Sequence, residues 1–165
     1  MQTPEFCIIA ATDQNRGIGK DNKLPWNIPE DLKRFRELTV PYSVIMGRRT
    51  FDSIIERNGV PLPKRHNFVL SRDPSFSSSG VHVARSLGDA FWMALQYEDT
   101  RIAVIGGEQI FREAIDYVNK LYLTVIEGQF QTDASFPDYS AFNVVSEVAG
   151  QSSNGLRYKF QELTR

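Results

Sequence analysis

Two acidic residues at the start of a predicted helix are the side chains best suited to proton transfer. The stretch "GKDNKLPWNIPEDLKRFREL" covers residues 19–38 and places Trp26 between two prolines, a few residues before the acidic pair. Pro29 suits the first turn of a helix, and the helix dipole favours the negative charges of Glu30 and Asp31 there. The pair could therefore stabilise the helix start, or one member could act as an acid or base.

Helical spacing gives the two acids different surroundings. Asp31 shares the apolar-leaning side of the helix with Leu32 and Phe35. Glu30 and Arg34 are predicted to face water together as an i,i+4 pair. A carboxylate on the apolar side is partly desolvated, which raises its pKa and makes it a candidate for proton transfer. The pattern favours Asp31 over Glu30 for chemistry, but it leaves helix capping as an equal alternative.

Two strand-to-helix junctions are suited to binding phosphate. In "VIMGRRTF" an apolar strand ends at Gly47 and two arginines follow, and in "VIGGEQIF" another strand ends at Gly106 and Gly107. Glycine lets the backbone approach a ligand, free N–H groups at a helix start attract anions, and arginine forks onto phosphate oxygens. Either junction alone is more readily a simple turn. Together they predict a ligand with several phosphates at the carboxyl ends of the strands.

Other catalytic arrangements lack their residues. Gly17 and Gly19 follow the first apolar run, but no third glycine completes a dinucleotide-binding fingerprint and prolines interrupt the next segment. We expect a flexible loop there, which could close over a site. His66 and His82 lie far apart without metal-ligand spacing, so no metal site is expected. The sequence contains neither a serine-nucleophile elbow nor a Walker lysine motif.

Composition and charge limit the class of protein. The 165 residues are 41% hydrophobic, which is enough for one domain over 1–165 with a buried core. A net charge of −1 provides no basic field for binding nucleic acid. The apolar runs are too short to span a bilayer, and no secretory signal is seen. Cys7 lies in an apolar run, where we expect a buried thiol. We therefore expect a cytoplasmic protein.

The elements needed to position these residues follow from hydrophobic periodicity. Strands are predicted at 6–12, 43–47, 67–71, 81–84, 101–107, 120–127, 142–149 and 156–163. Helical patterns begin near Pro29, Thr50, Ser86 and Glu108. Strands and helices alternate up to about residue 118, and three strands follow without a helix between them. This order predicts an α/β domain with a central mixed, mostly parallel eight-stranded sheet, antiparallel at the C-terminus and flanked by about four helices.

Six segments in a fixed order make the chain similar to a known family. The segments "GIGKDNKLPWNIPEDLKRF", "VIMGRRTFDSI", "LPKRHNFVLSR", "VIGGEQIF", "LYLTVI" and "FPDY" together resemble the bacterial dihydrofolate reductases over nearly the whole chain. The resemblance implies hydride transfer from NADPH to 7,8-dihydrofolate, giving tetrahydrofolate. It also implies that antifolate inhibitors could bind, and we expect a monomer.

The resemblance assigns several residues to a folate site. Asp31 would bind the pterin N3 and 2-amino groups and promote protonation at N5, with Trp26 holding a water beside it. Thr124 would support Asp31, and Arg65 would pair with the α-carboxylate of the glutamate tail. The residues implied as apolar walls are Ile9, Leu32, Phe35, Ile54 and Ile105.

The same resemblance assigns residues to an NADPH site. Ala11 and Ile18 match residues that contact the nicotinamide, and the segment from Asn15 to Leu24 matches a mobile loop that closes over it. Residues that match the adenosine-phosphate and pyrophosphate segment are Gly47, Arg48, Arg49, Thr50, Ser71 and Arg72. Gly106 and Gly107 match a pair of glycines whose peptide bond is cis in the family.

The chain also departs from the common bacterial pattern. Residues 55–61 form a longer segment than usual, close in sequence to Arg65. In the cofactor site, Phe111 stands where many relatives have tyrosine, and Gln109 stands where arginine is common. Arg72 stands where a smaller polar residue is common, so we expect it to compensate for Gln109 in binding the 2′-phosphate.

Two alternative functions are compatible with such a fold. One is a pyrimidine reductase of riboflavin biosynthesis, which also uses NADPH, and the other is a catalytically silent nucleotide-binding module. The spacing of Trp26 and Asp31, together with Arg65, favours folate over the pyrimidine. The intact acid and both intact glycine junctions favour an enzyme over a silent module.

Overall fold

The computed structural model describes residues 2–165. The strands are β1 (Glu5–Asp13), β2 (Gly17–Gly19), β3 (Ser43–Gly47), β4 (His66–Leu70), β5 (Val81–Ala84), β6 (Arg101–Gly106), β7 (Lys120–Ile126), β8 (Ala134–Ser135), β9 (Asn143–Gln151) and β10 (Arg157–Thr164). The helices within these residues are α1 (Pro29–Thr39), α2 (Arg48–Asn58), α3 (Leu87–Leu95) and α4 (Glu108–Ala114).

Eight of the strands in residues 2–165 form one mixed sheet, in the order β5-β4-β3-β6-β1-β7-β10-β9. The pairs from β5 across to β7 are parallel. Strand β10 runs antiparallel to both β7 and β9. The predicted fold class is therefore confirmed, with its antiparallel part at the C-terminal end of the chain.

The central strands are apolar on consecutive residues because helices cover both faces of the sheet. Ile45 packs with residues of α3 and α4 in one core cluster, whereas its neighbours Val44 and Met46 pack with residues of α2 in another. All three side chains are fully buried. Burying one such side chain contributes roughly 1.5–3 kcal/mol, so this two-sided core fixes the sheet on which the site is built. Cys7 is also buried, as predicted.

Two of these strands end at the predicted glycine junctions. Strand β3 ends at Gly47 and α2 begins at the next residue, Arg48, slightly earlier than predicted. Strand β6 ends at Gly106, whose φ of 137° lies in the region that favours glycine. The peptide bond between Gly106 and Gly107 is cis, as the family resemblance implies.

A small second sheet was not predicted. Strand β2 pairs antiparallel with β8 and so ties the segment after β1 to the long connection between β7 and β9. Their three and two residues are too short to show a periodicity. Among the helices of residues 2–165, none has the length and apolar character needed to cross a membrane.

Candidate active site

A cleft of about 1090 Å³ brings most of the predicted site residues together. It lies where β3 and β6 end, and α1 and the segment after β2 form other parts of its wall. The predicted residues in this wall are Ile9, Ala11, Ile18, Asp31, Leu32, Phe35, Gly47, Arg48, Arg49, Thr50, Ile54, Ser71, Arg72, Ile105, Gly106, Gly107, Gln109, Phe111 and Thr124. Two predicted residues, Trp26 and Arg65, are not part of it.

Asp31 is the acidic side chain that α1 presents to the cleft. The hydroxyl of Thr124, on β7, donates a hydrogen bond of 2.5 Å to Oδ1 of Asp31. Burial raises the pKa of the Asp31 carboxyl above its ordinary value, while the Thr124 hydrogen bond and the positive charge of Arg34 partly oppose that rise. The carboxyl is therefore desolvated but supported, as a group that exchanges protons or binds a polar ligand requires.

The predicted pair of Glu30 and Arg34 facing water is wrong. Arg34 is half-buried, and its guanidinium donates to two main-chain carbonyls and, over 3.3 Å, to the Thr124 hydroxyl. Glu30 instead accepts a hydrogen bond of 2.9 Å from the hydroxyl of Ser152. The reason is tertiary, because β7 and β10 offer carbonyl oxygens to this side of α1 that helical spacing alone does not reveal.

Trp26 lines a smaller adjoining cavity of about 430 Å³, which Asp31 and Leu32 also line. Its ring is buried and packs edge-on against Phe130, with 5.3 Å between the ring centres. Its Nε1 is buried and has no acceptor among residues 2–165. A buried N–H group nearly always has a partner, so this one is free to donate to a water or ligand atom.

The part of the cleft at the start of α2 combines a glycine, which would let a ligand approach the backbone closely, with positively charged side chains. Gly47 caps α2 without a side chain, so the first N–H groups of that helix are not covered by a capping side chain. A Cβ atom at Gly47 would lie 3.2 Å from Ile110, so a larger residue would push on the α4 segment. Arg48 pairs with Asp52 over 3.0 Å and stacks on Phe76, 3.9 Å from the ring centre.

Arg85 belongs to the same part of the cleft and was not predicted. Its guanidinium donates to the carbonyl oxygens of Ser71 and Asp73, over 3.3 and 2.9 Å. It therefore holds the segment that carries Arg72 against the end of β5. No short motif marks Arg85 in the sequence, because its partners are main-chain atoms of another loop.

Arg65 lies outside the wall of the cleft. Its Nε donates to the Pro63 carbonyl over 2.9 Å and its Nη1 to the Thr39 hydroxyl over 3.0 Å, while Nη2 has no partner within residues 2–165. Arg57, in the last turn of α2, lines both the cleft and the adjoining cavity. Arg57 falls within the longer segment 55–61, and sequence reasoning gave it no role. The role of Arg65 stays a prediction.

The segment predicted as a lid is held against the rest of the molecule by hydrogen bonds. The Asp133 N–H donates to the carbonyl of Gly19 over 2.8 Å, and the Asp133 carboxylate accepts from the N–H of Asp21 over 3.0 Å. The side chain of Asn22 donates to the carbonyl of Arg49 over 2.7 Å. This segment therefore lies across the cleft between the β7–β9 connection and the start of α2, and its role as a lid stays a prediction.

Comparisons with known proteins agree with one another. The family model described as dihydrofolate reductase matches residues 5–165. The dihydrofolate reductase of Staphylococcus aureus (strain Mu50 / ATCC 700699) is 40% identical over 162 residues, covering 96% of each chain. The dihydrofolate reductase type 3 of Salmonella typhimurium is 46% identical over 132 residues, covering 80% of this chain and 78% of that protein.

A solved structure extends this similarity to three dimensions. It is the dihydrofolate reductase from Enterococcus faecalis complexed with NADP(H) and RAB-propyl, and its chain is 30% identical to this one. The two superpose with a TM-score of 0.89, covering 99% of this chain and 98% of the other. The similarity thus includes every element that lines the cleft.

Proposed function

Because the chain belongs to the dihydrofolate reductase family and is an oxidoreductase, we propose that it reduces 7,8-dihydrofolate to 5,6,7,8-tetrahydrofolate with NADPH. The hydride goes to C6 of the pterin, and N5 gains a proton. The observation that carries the proposal is a desolvated Asp31 carboxyl, supported by Thr124, in a cleft whose other part is lined by glycines and arginines.

Asp31 binds and orients the pterin in this proposal. Its carboxylate accepts hydrogen bonds from the pterin N3–H and 2-amino groups, and such charge-assisted bonds are about twice as strong as neutral ones. Leu32 and Phe35 follow Asp31 on α1 and supply apolar surface to the same cleft. The buried Nε1 of Trp26 suits a water that passes a proton toward N5.

The residues at the other part of the cleft fit NADPH. Gly47 keeps the space beside Ile110 that a Cβ atom would fill, and Gly106 lies against the Thr50 hydroxyl in a conformation that favours glycine. Arg48 and Arg72 supply positive charge for the phosphate groups. When bound, NADPH supplies the hydride. The hydrogen bonds of Gly19 and Asn22 hold the predicted lid over the cleft, where it would keep water from the reacting carbon.

Replacing Asp31 by asparagine tests the proposal. Protein, NADPH and dihydrofolate are mixed, and the absorbance of the reduced nicotinamide is followed. We expect turnover of Asp31→Asn at pH 7 to fall by about 100-fold or more. Part of the rate should return in acid, where the substrate arrives already protonated.

The neighbouring acid provides the matched control. Glu30→Gln, one residue away on α1, should keep turnover close to that of the wild-type protein because Glu30 contacts Ser152 instead of the substrate pocket. A near-normal rate for Asp31→Asn, with an intact circular dichroism spectrum, would contradict the assignment. Absence of any NADPH oxidation with dihydrofolate in the wild-type protein would favour the riboflavin-pathway pyrimidine or a silent module instead.

A further inference from the structure

Arg34 is a half-buried cation whose partners are not carboxylates. Its guanidinium donates to the carbonyl oxygens of Leu123 and Gln161, over 3.0 and 3.3 Å, and lies 4.6 Å from the centre of the Phe160 ring. No acidic side chain within residues 2–165 lies at salt-bridge distance from it. Burying a charge costs free energy unless hydrogen bonds or an opposite charge compensate for the lost water. A half-buried arginine beside the cleft is therefore expected to have a specific role.

The third contact of Arg34 connects it to the candidate catalytic acid. Nη1 of Arg34 donates to Oγ1 of Thr124 over 3.3 Å, and the same Oγ1 donates to Oδ1 of Asp31 over 2.5 Å. A guanidinium can only donate, so the Thr124 oxygen must accept from Arg34 and direct its single proton to Asp31. A hydrogen-bonded chain with a cation at one end and a carboxylate at the other polarises in one direction.

We propose that Arg34 is a positioning residue that acts on Asp31 through Thr124, fixing the threonine proton toward the carboxylate and keeping that carboxylate ionised before substrate binds. The inference rests on the proposed function for its catalytic meaning. Its statement about the charge state of Asp31 applies to the protein without substrate and can be tested there. The positive charge of Arg34 opposes the effect of burial on the Asp31 pKa, in agreement with this arrangement.

The other charged and titratable groups around Asp31 do not take this role. Glu30, on the same helix, and Tyr158, on β10, bring no positive charge. Lys23 and Arg57 line the cavity shared with Asp31, but both are exposed and therefore screened by water and salt.

Burial lowers the pKa of Arg34, and two further groups, Glu162 and Tyr122, oppose that effect electrostatically and favour its charged form. Arg34 is thus the cation that is both half-buried and joined to Asp31 by hydrogen bonds.

The experiment measures the ionisation of Asp31 directly. The carboxyl carbon of Asp31 is followed by ¹³C NMR as pH is varied, in the ligand-free wild-type protein and in Arg34→Met, Arg34→Lys and Thr124→Val. The matched control is Arg165→Met. Arg165 also donates to two carbonyl oxygens, those of Ile115 and Asp116, and lies over the ring of Phe142, but it makes no contact with Asp31 or Thr124. The pH profile of kcat/KM is recorded for the same variants.

Arg34→Met should raise the titration midpoint of Asp31 by about one pH unit, the usual effect of losing a nearby opposite charge. Arg34→Lys should restore part of that shift, and Arg165→Met should leave the midpoint unchanged. In the Thr124→Val background, the effect of Arg34→Met should fall to less than about half, since the connecting hydroxyl is gone. The acidic limb of kcat/KM, which reports the free enzyme, should move with the midpoint.

An unchanged midpoint in folded Arg34→Met would overturn the proposal, and so would a full shift that persists in the Thr124→Val background. If Arg34→Met does not fold, Arg34→Gln keeps hydrogen-bond donors without the charge and provides the same comparison. A wild-type protein that oxidises no NADPH with dihydrofolate, but shows the expected NMR shifts, would contradict the proposed function and leave the link between Arg34 and Asp31 standing.

Discussion

At the residue scale, two neighbouring acids in the first turn of α1 have different fates. Glu30 accepts from a serine hydroxyl of the β9–β10 hairpin and thereby fastens α1 to that hairpin. Asp31 accepts from Thr124 beneath the cleft, where burial raises its pKa. Adjacent residues on a helix point in different directions, so Glu30 has a structural contact while its neighbour Asp31 is a candidate catalytic group.

Cofactor preference is predicted to depend on Arg48 and Arg72. Both line the cleft, and forked hydrogen bonds to the 2′-phosphate are lost when that phosphate is absent. Replacing both by alanine should weaken NADPH binding by about 100-fold or more and change NADH binding little, because each charged hydrogen bond contributes about 1.5–3 kcal/mol. Fluorescence titration with the two cofactors measures this difference.

Arg112→Ala is the control for cofactor preference. Arg112 forms the same kind of i,i+4 ion pair, with Glu108 over 2.8 Å, but it does not line the cleft. Its replacement should leave the ratio of the two affinities unchanged. Equal weakening of NADPH and NADH binding in the double variant would mean that Arg48 and Arg72 support the structure of the cleft but do not recognise the 2′-phosphate.

Two arginines are candidates for binding the glutamate tail of the proposed substrate, dihydrofolate. We expect Arg65→Leu to raise the KM for dihydrofolate by about tenfold or more with little change in the KM for NADPH, because a charged anchor remote from the reacting carbon is lost. Arg57→Leu is the matched variant, since Arg57 lines the cleft from the end of α2. Steady-state kinetics decide between them: a rise confined to Arg57→Leu would move the anchor into the longer segment 55–61.

At the element scale, Asp133 ties the segment predicted as a lid to the connection between β7 and β9. Asp133→Ala removes the acceptor for the Asp21 N–H. A lost hydrogen bond of about 1 kcal/mol shifts the ratio of closed to open lid about fivefold, so the single-turnover rate of hydride transfer should fall by up to about fivefold. Stopped-flow measurement of NADPH oxidation under single-turnover conditions reports this rate.

Asp138→Ala separates lid closure from general loosening of the same connection. Asp138 also accepts from a backbone N–H, that of Ser140 over 2.9 Å, but it makes no hydrogen bond to the lid. The hydride-transfer rate should therefore stay near that of the wild-type protein in this variant. Equal slowing in both variants would show that the connection matters only as a whole.

Regular elements were predictable because their periodicity is long enough to read. The eight strands of the main sheet lie within one or two residues of the sequence predictions, and the helices at Pro29, Ser86 and Glu108 begin within one residue of their predicted starts. Ser86 accepts from the Asp89 N–H over 3.1 Å, as its N-cap pattern indicates. Strands β2 and β8 were missed, because a strand of two or three residues carries no pattern and depends on its partner.

At the scale of the whole molecule, the sequence predicts which residues line the cleft better than it predicts the hydrogen bonds between α1 and the strands behind the cleft. The carboxyl ends of parallel strands meet at one edge, so Gly47 and Gly106 could be placed together from topology alone. Arg34 could not be placed, because its spacing suits Glu30 as well as Asp31 and its partners lie on strands far along the chain. Every residue has a main-chain carbonyl, so the sequence does not show which carbonyl oxygens will accept a hydrogen bond from a distant side chain.

Stability as a function of pH should reveal the cost of keeping Asp31 in the fold. Burial raises its pKa in the folded chain, so the folded state holds the proton more tightly than the unfolded state does. The stabilising contribution of Asp31 is thus fully present below the unfolded pKa of about 4 and is lost as pH rises through the folded pKa. Asp31→Asn, which stays neutral, should therefore unfold at a higher temperature than the wild-type protein at pH 7, and the difference should shrink toward pH 4.

Asp138→Asn tests the sign of this linkage, because hydrogen bonds from Ser140 lower the pKa of Asp138. Its contribution to stability is present above the unfolded pKa and is lost as pH falls, so this variant should be less stable than the wild-type protein at pH 7, by a small amount at an exposed site. Thermal unfolding followed by circular dichroism at several pH values measures both variants. A thermal midpoint of Asp31→Asn at pH 7 equal to or below that of the wild-type protein would mean that Arg34 and Thr124 fully offset the burial of the carboxylate.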